Sequence, residues 1–267
     1  MRLKFVKASP CRNTTVFLTD EVPQARYAEI ARLALDSDYL AAEQVGFITA
    51  PHSAKAVRRL EMAGGEFCGN ATLSLAAWLV REGLADGRES VWVECSGAGQ
   101  PVCCEVTALP DEHFRVREEL FLQAEVKETA LKLGFKKYPG VLVTEPGITH
   151  FLYFGDCSEQ EQLMLLDALE AKEQAEAYGV IACECLTGES YRIRPLVGVP
   201  AAGSRVFEQA CGSGSMALGL WLAASEERSC VLVLQPGGSI FVETGAAVHI
   251  TTEVYFPCEG TMLVPQS

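Results

Sequence analysis

Two stretches of the chain read as an apolar helix entered through a cysteine. Glu66-Phe67-Cys68-Gly69-Asn70-Ala71-Thr72 leads into the apolar run 73–79, and Gln209-Ala210-Cys211-Gly212-Ser213-Gly214-Ser215 leads into the run 216–222. Setting Cys68 on Cys211, 143 positions later, places Gly69, Leu75, Trp78 and Leu79 on Gly212, Leu218, Trp221 and Leu222 without a gap. Elsewhere the apolar positions alternate in short runs, which predicts strands over 2–6, 15–18, 45–48, 57–62, 91–95, 101–107, 141–143, 150–154, 180–183, 191–194 and 230–235. Closing strands run through Val242, Ile250 and Leu263. Helical spacing predicts further helices over 22–35 and 159–178, whereas 119–135 is mixed and 195–203 reads as a loop.

The repeat continues beyond the helices. The strands 91–93 and 231–233 both run toward a glycine, Gly97 and Gly237. One long-period repeat means two related halves and not a solenoid. The expected fold is α+β, with two pseudo-symmetric domains, each a mixed or antiparallel sheet wrapped around one central helix, and an active site in the cleft between them. The character of the chain changes at Leu109-Pro110-Asp111-Glu112. The expected halves are therefore 1–112, completed by the last strand at about 255–267, and 113–254.

Composition narrows the function classes. The chain has 267 residues, is 49% hydrophobic and carries a net charge of −13, which argues against nucleic-acid or anionic-membrane binding. No stretch approaches 18 uninterrupted apolar residues and the first fifteen carry no apolar signal core. The 11 cysteines are irregularly spaced, which fits reduced thiols in a cytoplasmic protein. Neither Cys103-Cys104 nor Cys183-x-Cys185 has the spacing of a zinc site, so no metal is expected. There is no phosphate-loop lysine and no dinucleotide glycine fingerprint, and no other cofactor is expected. The expected partners are an amino-acid substrate and, at most, a second copy of the chain as a homodimer.

Gly, Asn and Ser ahead of an apolar run mark a helix N-terminus, whose N–H groups and dipole attract anions such as carboxylates. A thiol at such a place is expected to have a lowered pKa. A cysteine alone can be a small buried hydrophobe, but two matched copies suggest two thiols facing one small anionic ligand. Such a pair suits removal of a proton from one face of a carbon and its return to the other. Redox use of two cysteines usually takes a Cys-x-x-Cys on one helix, which is absent. His150, on an apolar strand, reads more readily as a core or pocket histidine than as a base.

At these residues the chain resembles, over its whole length, the diaminopimelate epimerase family of cofactor-independent amino-acid racemases and epimerases. The marks are Cys68-Gly69-Asn70-Ala71 and Ala210-Cys211-Gly212-Ser213-Gly214. The resemblance implies Cys68 and Cys211 as the two acid/bases. It implies that Gly69, Asn70, Gly212 and Ser213 carry the carboxylate-binding helix ends, and that Asn13 and Gln44 line the pocket. Two departures lower a diaminopimelate substrate. The approach to Cys211, 203–210, does not match the family's Glu-Arg pair, and Gly147-Ile148-Thr149-His150 lacks the asparagine of Gly-Asn-Pro-His. The chain more closely resembles the histidine racemases that feed opine-type metallophore synthesis. That likeness adds Glu43-Gln44-Val45-Gly46-Phe47-Ile48 and Gln235-Pro236-Gly237-Gly238-Ser239-Ile240. It implies interconversion of L- and D-histidine, with Glu43, Glu208 or His150 as candidates to face the imidazole. A diaminopimelate epimerase and a non-catalytic amino-acid-binding protein on the same scaffold are the alternatives.

Overall fold

A computed structural model describes residues 1–120, 124–200 and 203–265. The chain divides into two compact units, 1–119 with 251–267 and 120–250. The architecture is α+β and dominated by sheet. Among the described residues there are sixteen strands and four α-helices.

The first unit contains β1 (Arg2–Pro10), β2 (Thr15–Leu18), α1 (Tyr27–Leu35), β3 (Gln44–Thr49), β4 (Arg58–Met62), α2 (Gly69–Arg81), β5 (Val91–Cys95), β6 (Val102–Ala108) and β7 (Phe114–Leu120). It also takes most of β16 (Val248–Leu263). The strands pair in the order β1 to β7, then β16, and β16 pairs back to β1, so the sheet closes into a barrel. Two pairs are parallel, β2–β3 and β4–β5, and each needs a helical crossover. These crossovers carry α1 and α2. The hairpin β6–β7 carries this unit past Glu112. Helix α2 is apolar on nearly every side, the pattern of an enclosed helix, and packs against β1, β5 and β6.

The second unit contains β8 (Glu125–Leu133), β9 (Lys136–Glu145), β10 (Ile148–Tyr153), α3 (Glu159–Lys172), β11 (Ala177–Thr187), β12 (Ser190–Val199), β13 (Ser204–Phe207), α4 (Gly212–Glu226), β14 (Cys230–Gln235) and β15 (Gly238–Thr244). Its strand order is β15-β14-β12-β11-β10-β9-β8, with β13 beside β12. The parallel pairs are β10–β11, around α3, and β12–β14, around α4. Ser158 and Glu161 form a reciprocal capping box that starts α3.

Several expected boundaries move. The helix at 22–35 is a short 3₁₀ turn, Gln24–Arg26, followed by α1. The helix at 159–178 stops at Lys172. There the Tyr178 hydroxyl donates to Glu173 O (3.0 Å) and accepts Ala175 N–H (2.9 Å), which turns the chain into β11. Residues 195–199 are strand and not loop. Pro195 pairs with Ile181, and its carbonyl accepts the Glu208 N–H, so it serves the ladder as an acceptor. Of the mixed segment 119–135, residues 119–120 end β7, 121–123 lie outside the described residues, and 125–133 form β8, which turns at Gly134 into β9.

Candidate active site

Cys68 is the N-cap of α2. Its backbone is extended (φ −136°, ψ 106°), and its Sγ accepts the Ala71 N–H at 3.4 Å. Its carbonyl takes both the N–H (2.9 Å) and the hydroxyl (2.7 Å) of Thr72. The thiol donates to Gln44 Oε1 at 3.0 Å, and the Thr15 hydroxyl donates to the same oxygen at 3.2 Å. Thr15 and Gln44 are register partners in the parallel pair β2–β3, which is why residues 29 apart meet here. The preceding turn is closed by Asn13 N–H to Pro10 O at 2.9 Å. Cys11 and Arg12 in it adopt left-handed φ of 47° and 62°, a conformation that non-glycine residues take only when the surroundings impose it. Asn13 and Asn70 are both buried. Behind the turn, the Cys95 thiol lies against the Thr72 hydroxyl and the Cys68 backbone. Gly97, at φ +71°, lies so close to Phe67 that a Cβ would run into its backbone N.

Cys211 is the N-cap of α4, again extended (φ −125°, ψ 108°), and its Sγ accepts the Gly214 N–H at 3.3 Å. Its carbonyl takes the N–H (3.1 Å) and the hydroxyl (2.8 Å) of Ser215. Ser213 Oγ lies 3.5 Å from the thiol and 2.9 Å from His150 Nε2. The His150 ring is fully buried against Gly179, where a Cβ would collide with Nδ1. The Glu208 side chain hydrogen-bonds the Cys211 thiol.

The electrostatics depart from expectation at the second cysteine. Burial pushes the Cys211 thiol well above its ordinary pKa, and the Glu208 charge pushes the same way. Ser213 and the Gly214 N–H pull it down by less. The helix end alone therefore does not make this thiol acidic, because burial and a carboxylate outweigh it. Burial holds His150 down to about 3, so its imidazole is neutral. Glu43 is exposed. Partial desolvation raises its pKa, opposed by Lys7 and by its hydrogen bond with the Thr14 backbone. Among the described residues no group of three or more His, Cys, Asp or Glu side chains could hold a metal ion. No helix among them is long and apolar enough to cross a membrane.

The expected residues thus fall into two local groups: Gln44 and Gly69 with Cys68, and Glu208, Gly212 and Ser213 with Cys211. Asn13 and Asn70 adjoin the first. Glu43 neighbours Gln44 in sequence without a described bond to a cysteine. The sequence reading missed the hydroxyls of Thr72 and Ser215, although they are 143 positions apart, as the two cysteines are. It passed over Cys95 and took Gln235 only as part of a marking motif; each is the last residue of the strand after a cysteine helix.

Comparison with known proteins follows this geometry. Residues 2–262 match the model of the family described as the histidine racemase CntK N-terminal domain. The chain is 25% identical over 269 residues to a histidine racemase of Fusobacterium nucleatum, covering 98% of this chain and 97% of the relative. It is 25% identical over 244 residues to a histidine racemase of Staphylococcus aureus, covering 90% and 88%. Its fold is similar to a hydroxyproline epimerase from Agrobacterium vitis crystallised with trans-4-hydroxy-L-proline. The TM-score is 0.75 at 11% identity, over 97% of this chain and 92% of that one. The chain belongs to the histidine racemase family and is an isomerase of the racemase class.

Proposed function

We propose that the protein is a two-base, cofactor-independent amino-acid racemase in which Cys68 and Cys211 exchange the α-proton of histidine. The observation that carries this reading is the repeated cysteine N-cap. Each sulfur accepts the third helical N–H, and each cysteine carbonyl is held by a hydroxyl one turn on. We take the two units as pseudo-symmetric halves, each built around one cysteine helix. In support, both use the same succession of antiparallel and parallel pairs around two helical crossovers.

The mechanism requires the two thiols to reach opposite faces of one α-carbon. The leading N–H groups of a cysteine helix seat the substrate carboxylate and stabilise charge as the α-carbon becomes carbanion-like. One cysteine, as thiolate, takes the α-proton and becomes a thiol. The C–H electron pair moves into the carboxylate as an enediolate. The other thiol returns a proton to the opposite face and becomes the thiolate. Burial and Glu208 keep the proton on Cys211 in the free protein, and Cys68 supplies the thiolate once it gives up the proton it donates to Gln44 Oε1. Histidine is favoured by the relatives and by the motifs at 43–48 and 235–240. By the same likeness the D-histidine would serve an opine-type metallophore.

The test is incubation in D₂O, with reductant and no added cofactor, of separate L-amino acids and LL-diaminopimelate. NMR reads the α-deuterium and chiral chromatography reads the product. Histidine should gain α-deuterium and yield the D-isomer. Turnover of diaminopimelate instead would replace the substrate, and racemisation by a variant lacking either cysteine would remove the mechanism.

A further inference from the structure

The motif Gln235-Pro236-Gly237-Gly238 takes no part in the chemistry above, yet it touches the Cys211 turn at two points. Gln235 Oε1 accepts the Cys211 N–H at 2.6 Å, and the Gly237 N–H donates to Gln209 O at 2.8 Å. The other end of the Gln235 amide is occupied too, since Nε2 donates to Ser215 Oγ at 3.0 Å. Ser215 Oγ in turn donates to the Cys211 carbonyl at 2.8 Å. One buried side chain therefore closes a ring around the backbone of a single residue, holding its N–H directly and its C=O through Ser215. Every polar atom in that ring is satisfied, which is the condition under which a buried network fixes one geometry.

We propose that Gln235 is a positioning residue for Cys211, clamping the N-cap backbone so that the thiol is presented at one fixed place. The idea rests on the two-base reading for its kinetic consequence but not for its structural one. Lateral freedom of about 1 Å at a reacting group can cost about 10²-fold in rate. In the first unit the corresponding place is held by Cys95. Its sulfur is a weaker acceptor than an amide oxygen, and it lies against the Cys68 backbone, Thr72 and Ser96. Gln235 is thus the firmer of two clamps on equivalent turns.

The experiment compares the full-length protein with Gln235→Leu and Gln235→Glu. A neutral, buried glutamic acid keeps one acceptor and one donor and so can remake both bonds. Kinetics on L-histidine give kcat and KM. Spectra of ¹⁵N-cysteine-labelled protein report the Cys211 and Cys68 amides separately, assigned with single Cys→Ser variants. For Gln235→Leu, kcat should fall at least about 10-fold while KM stays within about 3-fold. Its Cys211 amide should move upfield and exchange faster, with Cys68 unchanged. Gln235→Glu near pH 6 should restore both. A folded Gln235→Leu protein with wild-type kcat, or an unmoved Cys211 amide, would overturn the clamp. If Gln235→Leu does not fold, Gln235→Glu decides. An unchanged Cys211 amide signal at pH 6 that departs as pH rises supports the clamp, and one insensitive to pH overturns it. A wild-type protein that fails to exchange α-deuterium defeats the racemase reading, while the amide spectra still judge the clamp.

Discussion

The turns at Cys68 and Cys211 share a backbone and differ in what surrounds the sulfur. Both cysteines are extended N-caps, and both sulfurs accept the third helical N–H. At Cys68 the thiol is half-buried and meets the neutral amide oxygen of Gln44. At Cys211 it is buried and meets a carboxylate, Glu208, with Ser213 and a neutral His150 beyond. On the two-base proposal the shared backbone would offer a helix end to a carboxylate. The side chains would supply the asymmetry, with burial and Glu208 holding the proton on Cys211.

The strongest way to break the comparison is to remove either sulfur. Cys68→Ala and Cys211→Ala should each lower the racemisation rate by about 10³-fold or more, since each deletes a general acid/base. Chiral chromatography of the product measures it. A variant that keeps its α-deuterium exchange but loses racemisation would identify which thiol works on which enantiomer. Retention of full racemisation by either would end the two-base account.

Exchanging the neighbours should move the asymmetry without destroying the site. Glu208→Gln removes the negative charge that raises the Cys211 thiol, so its ionisation shifts to lower pH. Gln44→Glu places a charge beside Cys68, and its ionisation shifts to higher pH. On the two-base proposal with Cys211 as the acid, activity requires Cys68 to release the proton it donates to Gln44 Oε1 and Cys211 to keep its own. The rising limb of kcat/KM should therefore move up in Gln44→Glu, and the falling limb should move down in Glu208→Gln. At neutral pH Gln44→Glu should cost about 10-fold for each pH unit its Cys68 ionisation rises, whereas Glu208→Gln should change little there because burial still holds the Cys211 proton. If both variants move the same limb, the assignment of thiol and thiolate is wrong.

Much of this contrast was legible in the chain, and the illegible part has a physical reason. The cysteine, the following glycine and the apolar run are local, so the two helix starts could be read from residues 66–79 and 209–222, and most strands from the short alternating runs elsewhere. The helical spacing from 159 onward likewise announced α3, whose capping box of Ser158 and Glu161 the structure then shows. What surrounds each sulfur comes from other strands. Gln44 reaches Cys68 because β2 and β3 pair in parallel, and His150 reaches Ser213 from 63 residues away. Register sets such contacts, and it is not written in periodicity. The pKa of Cys211 could not be read either, because a helix start says nothing of the depth at which it will be buried. The Pro195 strand misled for a related cause, since a proline looks like a break until its carbonyl is seen to serve as an acceptor.

Two glycines sharpen the comparison at the level of stability. Gly97→Ala in the first unit puts a Cβ into the Phe67 backbone at a left-handed φ. Gly179→Ala in the second puts one into the His150 ring. A ring can yield and a backbone cannot, so Gly97→Ala should be the costlier. Overpacking costs about 1–3 kcal/mol, and Gly97→Ala should sit at or above the top of that range. Thermal or urea unfolding reads both. Gly179→Ala should also disturb the Ser213 contact and lower activity, and equal losses of stability in the two variants would contradict this ranking.

A last contrast separates the units by pH. Each buries a carboxyl with an oxygen that has no hydrogen-bond partner, Glu118 in the first and Glu145 in the second. Burial raises Glu145 from 4.5 to about 8 and raises Glu118 well above its ordinary value. Below about pH 4.5 both carboxyls are protonated in the folded and the unfolded chain, and neither costs stability. As pH rises from there, the unfolded chain ionises and the folded one does not, so stability falls. For Glu145 the decline should end near pH 8, where the folded group ionises too. Glu145→Gln should therefore match the wild type at pH 4.5 and exceed it by up to a few kcal/mol at pH 8. Glu118→Gln should likewise gain on the wild type as pH rises above the ordinary carboxyl range. Urea midpoints at a series of pH values test both, and parallel curves for wild type and Glu145→Gln would mean that this carboxyl finds a partner in solution.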